Sequence, residues 1–345
     1  MKNLLTLCVV VWMGVPVFAA DLPARQNEFV EEGAKLELLF DGGCALTEGV
    51  SVAPDGRVFF SDITFSHKCA GEGGGIQAGN IWVWDPKTKQ AAVFRSPSGM
   101  SNGLKFDAQG RLLAAEGADH GGRRVTRTDM KTGKTTIIAH SFEGRRLNSP
   151  NDITIDEKGR VYFSDPRYLG HEPVDQAVQS VYRVDTDGSV HRIITDAGKP
   201  NGVAVSPDQK TLYVVSNDNG SFGIERDPMD LPLAKGRMAL QAYDLAADGT
   251  AKFRATLVDY LPQDGPDGLI CDKEGNIYAA ARDLTRPGVH VYSPKGELLA
   301  YVATEVPTNV GFGRGAESKT LYITAGKSLY RIRMKKEGYQ LPAAK

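Results

Sequence analysis

Cysteine is scarce in this chain, with four residues among 345 at positions 8, 44, 69 and 271 and no Cys-x-x-Cys pair. The six histidines (67, 120, 140, 171, 191 and 290) follow no zinc-ligand spacing. Charge of one sign is not in excess either: the formal net charge is −1 and no basic stripe is present. That balance argues against nucleic acid as a partner. The apolar run Leu4–Trp12 is too short to span a bilayer. A serine nucleophile of the elbow type is not expected. Asp185-Thr186-Asp187-Gly188 opens like a calcium-binding helix–loop–helix, but its glycine comes too early and its flanks read as strands.

Glycine, by contrast, is abundant at 38 residues, many of them in Asp-Gly or Lys-Gly turns. These glycines punctuate a repeated unit, clearest in Asn151–Asp165: a polar residue, an alternating strand, a turn ending at Gly159, and a second strand rich in β-branched and aromatic residues. The unit recurs at Glu48–Asp62, Asn102–Glu116, Asn201–Asn217 and Asp267–Ala281, with a degenerate copy at Asn309–Ala325. Each copy is trailed by further strand-like segments, giving four strands about every fifty residues. The expected fold is therefore all-β: a six-bladed β-propeller with four antiparallel strands per blade. The sixth repeat is one strand short after Ser328–Met334, and Lys35–Phe40 is expected to supply it and close the ring. A pair of β-sandwiches would not produce one hairpin six times.

Lys2, the apolar run and Val17-Phe18-Ala19 make residues 1–20 an expected signal peptide. Residues 21–34 then form a leader, 35–335 the propeller and 336–345 a solvated tail. The expected location is periplasmic or extracellular, where a Cys44–Cys69 disulfide is plausible. Cys271 reads as an inert core residue.

The first position of each unit carries a side-chain oxygen: Glu48, Asn102, Asn151, Asn201, Asp267 and Asn309. In a propeller these positions form a ring at one mouth of the central channel. Turn chemistry alone explains asparagine, aspartate and glycine at strand starts, but it explains Glu48 badly. A hard cation such as Ca²⁺ explains all six, because it takes six to eight oxygens from such groups and water. The insertions Ile63–Gly79, Pro166–Gln179 and Asp218–Gly236 should crowd the same face.

Several stretches carry a family resemblance: Thr47-Glu48-Gly49, Asp119-His120-Gly121-Gly122-Arg123-Arg124-Val125-Thr126-Arg127, Gly144-Arg145-Arg146-Leu147-Asn148-Ser149-Pro150-Asn151-Asp152, Phe163-Ser164-Asp165-Pro166-Arg167-Tyr168, Pro200–Asp208 and Pro266–Asp272. Together they resemble the regucalcin (senescence marker protein)/gluconolactonase-like family, and its bacterial gluconolactonases in particular. The resemblance implies a six-bladed propeller holding a divalent cation, usually calcium. The implied metal ligands are Glu48, Asn151, Asn201 and Asp267. A lactonase reading then gives Asp267 the attacking water and gives Asn102, His120, Arg146 and Asn148 contacts to a sugar lactone such as glucono-1,5-lactone. The family's usual Cys-Glu-His-Gly is Glu116-Gly117-Ala118-Asp119-His120-Gly121 here, a departure centred on His120. Two alternatives stand beside the lactonase: a metal-dependent hydrolase of another ester or organophosphate, and a non-catalytic binding propeller.

Overall fold

Glu37–Asp41 pairs antiparallel with Ser328–Arg333, so strands from opposite ends of the chain share one sheet. This pairing closes a ring of six four-stranded antiparallel sheets. The computed structural model describes residues 22–221 and 234–343. The expected signal peptide, and part of the third insertion, lie outside those residues.

The blades follow chain order. Their innermost strands are Leu46–Val52, Ser101–Phe106, Ile153–Ile155, Pro200–Val205, Pro266–Cys271 and Pro307–Phe312. Each packs against the innermost strands of both neighbours. Each sheet then steps outward through its hairpin partner to two outer strands. Val30 bridges Met334 just beyond the closing sheet, and Phe40 packs on Phe60 and Trp82 of the first blade. The closing strand therefore also touches the blade that follows it.

Alternation along the hairpins sends one set of side chains to each face of a blade, and adjacent faces bury them together. Leu113 and Val125 of the second blade share a core with Ile153, Phe163 and Tyr182 of the third. Tyr162 and Val181, on the other face, pack with Val203, Leu212 and Tyr243 of the fourth.

The glycines that follow four of the marked residues have a packing cause as well as a turn cause. A Cβ on Gly202 would lie 2.3 Å from the Asp267 carbonyl oxygen, and one on Gly49 would lie 1.9 Å from the Asn102 carbonyl oxygen. Only a residue without a Cβ lets neighbouring inner strands approach this closely. Pairing slips at these same points, between Glu48 and Ser51 and between Pro200 and Val203. Glu48 and Asn201, which stand at these bulges, both reach the mouth of the channel.

The C-terminal segment departs from the solvated-tail expectation. Gly338 bridges Asp272, the Tyr339 hydroxyl donates to Glu157 Oε1 at 2.8 Å, and Gln340 Nε2 donates to the Phe312 carbonyl at 3.0 Å. Leu341 packs against the core shared by the second and third blades. The segment thus runs across the end of the channel remote from the marked oxygens, held by blades on opposite sides of the ring. Its apolar and aromatic groups find partners there that only the closed ring brings within reach.

Candidate active site

The marked mouth of the channel opens into a cavity of about 270 Å³. Its lining includes Glu48, Asn102, Asn151, Asn201 and Asp267, five of the six marked positions, together with Arg282. Glu48 is 3% exposed and Asp267 6%, so two carboxylates are withdrawn from bulk water side by side. Burial pushes the Glu48 carboxyl well above the usual carboxylate range, and the neighbouring Asp267 charge pushes it further. Burial also raises Asp267, and Arg282 opposes that shift.

The amides complete the picture. Asn102 Oδ1 and Asn151 Oδ1 are buried and accept no hydrogen bond. Such orphaned acceptors each cost about 1–3 kcal/mol. Asn201 is held differently: its Nδ2 donates to the Tyr168 hydroxyl at 3.1 Å, and that hydroxyl donates to the Asn217 carbonyl at 2.9 Å. The chain commits the amide nitrogen of Asn201 and frees its oxygen for the cavity. Two carboxylates and three amide oxygens with too few donors fit a hard divalent cation. Glu48, Asn151, Asn201 and Asp267 are the residues that would hold it, and Asn102 stands beside them.

Asn309, the sixth marked position, does not line this cavity. Its Oδ1 accepts the Val310 backbone N–H at 2.8 Å, and the side chain lies over Gly268. Asp152 sits deeper in the channel, where its carboxylate accepts from the Val203 N–H and burial pushes it up to about 6.

Three residues expected to meet substrate lie elsewhere. Asn148 is fully buried, with Nδ2 donating to the Gln176 carbonyl and Oδ1 accepting from the Gln176 N–H, both at 2.9 Å. This two-point clip pins the insertion after the third hairpin and holds the amide away from the cavity lining. Arg146 is exposed on a small ribbon pairing Ser141–Phe142 with Arg145–Arg146, and it donates to the Gly122 carbonyl at 3.0 Å. His120 is exposed at the rim, its ring 5.6 Å from that of His171, while the adjacent Asp119 does line the cavity.

Sequence reasoning missed Arg282 and Tyr168. Arg282 directly follows the second strand of its blade, Ile277–Ala281, and the same repeat alignment extended to second-strand ends would have found it. Tyr168 sits in an insertion and carries no repeat signal. Gly99-Met100-Ser101-Asn102-Gly103 does have the spacing of a nucleophile elbow. It enters an inner strand, not a strand-to-helix turn, and Ser101 Oγ is buried against Ser61 Oγ and Ser98 Oγ at 2.9 Å. No nucleophile is presented there.

Cys44 and Cys69 are joined by a disulfide, with Cα atoms 6.2 Å apart. It ties the insertion after the first hairpin to the start of the first inner strand. Cys271 is buried and unpaired, and burial pushes its thiol up to about 12.

The chain is 31% identical to a gluconolactonase of Zymomonas mobilis over 260 residues, 72% of this chain and 66% of that protein. It is 28% identical to the lactonohydrolase oryL of Aspergillus oryzae, over 72% of this chain and 60% of the relative. The matches thus span just under two thirds of those two proteins. A pentonolactonase of Haloferax volcanii is 26% identical with 82% of each chain covered. Among solved structures, a gluconolactonase from Xanthomonas campestris superposes with a TM-score of 0.72 at 27% identity, over 91% of this chain and 96% of that one. A regucalcin from Agrobacterium tumefaciens, at 19% identity and a TM-score of 0.65 over 90% and 98% of the two chains, shares the fold. Residues 46–327 match the SMP-30/Gluconolactonase/LRE-like region, and the chain belongs to that family.

Proposed function

We propose that this protein is an exported, calcium-dependent lactonase that hydrolyses a sugar lactone, with glucono-1,5-lactone as the first candidate. The observation that carries the reading is the pair of orphaned amide oxygens, Asn102 Oδ1 and Asn151 Oδ1, beside the buried carboxylates Glu48 and Asp267. The gluconolactonase and pentonolactonase relatives support the substrate class. The N-terminal pattern and the disulfide support export.

When bound, a divalent cation at these oxygens supplies Lewis acidity toward the ester carbonyl. The protein's own groups do the rest. Arg282 Nη1 holds Asp267 Oδ2 at 3.1 Å, which fixes the carboxylate so that Oδ1 can take a proton from the attacking water. Asn102 offers amide N–H groups to a substrate hydroxyl. Leu46, Phe65, Met100 and Leu169 form an apolar wall that keeps bulk water from competing.

The test is a lactone panel assayed with and without chelator, paired with calcium titration of Glu48→Gln. That change keeps shape and removes one charge, so calcium affinity and turnover should fall together, by about tenfold or more. Undiminished turnover in chelator, or a Glu48→Gln protein that binds calcium normally, would overturn the reading.

A further inference from the structure

Three side chains meet at the rim of the cavity, and one of them, Asp119, also lines it. Asp119, His120 and His171 each offer a ligand atom, and all three atoms lie within 4.8 Å of one another. They come from two loops, one following Leu112–Glu116 and the other following Val161–Asp165.

The scaffold beneath them is specific. Glu172 reaches across and accepts the backbone N–H of Asp119 at 3.1 Å and of His120 at 2.7 Å. Asp119 is 6% exposed, and its carboxylate accepts from both the Ser66 N–H and the Ser66 hydroxyl at 2.8 Å. Carboxylates that ligate metals are commonly oriented by such outer hydrogen bonds. Both imidazoles remain in solvent, the His171 side chain 54% exposed. Their rings are tilted by 47° with centroids 5.6 Å apart.

Distance and ligand type select the ion. His171 Nε2 stands 3.6 Å from Asp119 Oδ1, beyond hydrogen-bond length. A tetrahedral ion with bonds of about 2.0–2.1 Å has ligand–ligand edges of about 3.3–3.4 Å. The three ligand atoms start within 4.8 Å of one another, and both imidazoles are exposed and can turn toward a common ion. Two imidazoles and one carboxylate favour zinc and its neighbours, whereas calcium and magnesium take oxygens.

We propose that this rim cluster is a second metal site, separate from the channel, that takes a borderline divalent cation such as Zn²⁺ through Asp119, His120 and His171. The fourth position stays open to water. The bound ion clamps the second- and third-blade loops together at the entrance of the cavity, because each loop supplies part of the set. The inference does not depend on the lactonase reading, and its test reads binding alone.

The experiment saturates the purified protein with Ca²⁺, so that the channel oxygens are satisfied, and then titrates Co²⁺ by visible absorption and Zn²⁺ by calorimetry. One equivalent of Co²⁺ should give the intense visible bands of a four-coordinate nitrogen–oxygen site, and Zn²⁺ should displace it. His171→Ala should weaken both ions at least tenfold while leaving the melting temperature of the metal-free protein unchanged. His120→Ala should act in the same direction. No saturable Co²⁺ or Zn²⁺ binding in the calcium-loaded protein would overturn the proposal, as would wild-type affinity in His171→Ala.

Discussion

Arg282 Nη1 sits 3.1 Å from Asp267 Oδ2, a cation placed beside a buried carboxylate in the channel. Its side chain is 30% exposed, so the pair is partly screened. The guanidinium partly neutralises Asp267 and also repels any metal ion held by that carboxylate. Arg282→Gln should therefore tighten calcium binding by roughly threefold to tenfold, the scale of one half-screened charge. Turnover should fall at the same time, because Asp267 loses its orientation. Calorimetry with steady-state kinetics separates the two effects, and unchanged calcium affinity would show that Arg282 acts elsewhere.

Gly202 faces the Asp267 carbonyl and the Leu269 side chain, at 2.3 and 2.5 Å from where a Cβ would stand. A backbone oxygen cannot swing aside, so the inner strands of two blades must separate. Gly202→Ala should cost about 1–3 kcal/mol, measured as a lower denaturant midpoint. Gly75→Ala is the control: its Cβ would meet nothing closer than 3.6 Å, and stability should barely change.

Tyr339 donates to Glu157 of the third blade and accepts from Gln209 Nε2 of the fourth at 3.0 Å, while Lys273 of the fifth blade pairs with Glu337. Deleting 336–345 removes all of these contacts and exposes the far end of the channel. Thermal unfolding should shift down by a few degrees, equivalent to roughly 1–3 kcal/mol. An unchanged melting temperature would show that the segment contributes nothing to holding the ring.

His290 is 5% exposed, with Nε2 donating to the Arg286 carbonyl and Nδ1 accepting from the Tyr292 hydroxyl. Burial holds it below its ordinary value of 6.5, so the folded protein keeps it neutral. Below pH 6.5 the unfolded chain binds a proton that the folded one does not, and stability falls as pH falls toward the folded-state value. Above pH 6.5 this contribution is complete and flat. His290→Gln should flatten the acid limb of a stability-versus-pH curve, and equal slopes in the two proteins would count against the account.

The six-fold recurrence was legible because blade geometry is local. A strand alternates with period two, a hairpin turns on a glycine, and the unit repeats, so residues at one repeat position share one place in the ring. That logic places Glu48, Asn102, Asn151, Asn201 and Asp267 together from the repeat alone, and it pairs Lys35–Phe40 with the last blade. It failed at Asn309, whose repeat position is equivalent but whose side chain turns to its own strand and to Gly268. Register sets where a Cα lies; neighbouring packing sets where the side chain goes.

Tertiary structure alone decided the loops. Asn148 lies in a stretch that marks the family, yet the backbone of Gln176, 28 residues on, holds both ends of its amide. His120 and His171 show no metal spacing in sequence, because the two loops that carry them meet only when adjacent blades pack. The repeat by itself determined the propeller and the ring of oxygens, since both follow from the period of a strand and the count of hairpins. Which of those oxygens stay unpaired, which cation stands beside them, and what gathers at the rim were settled by side chains brought together only when the blades packed.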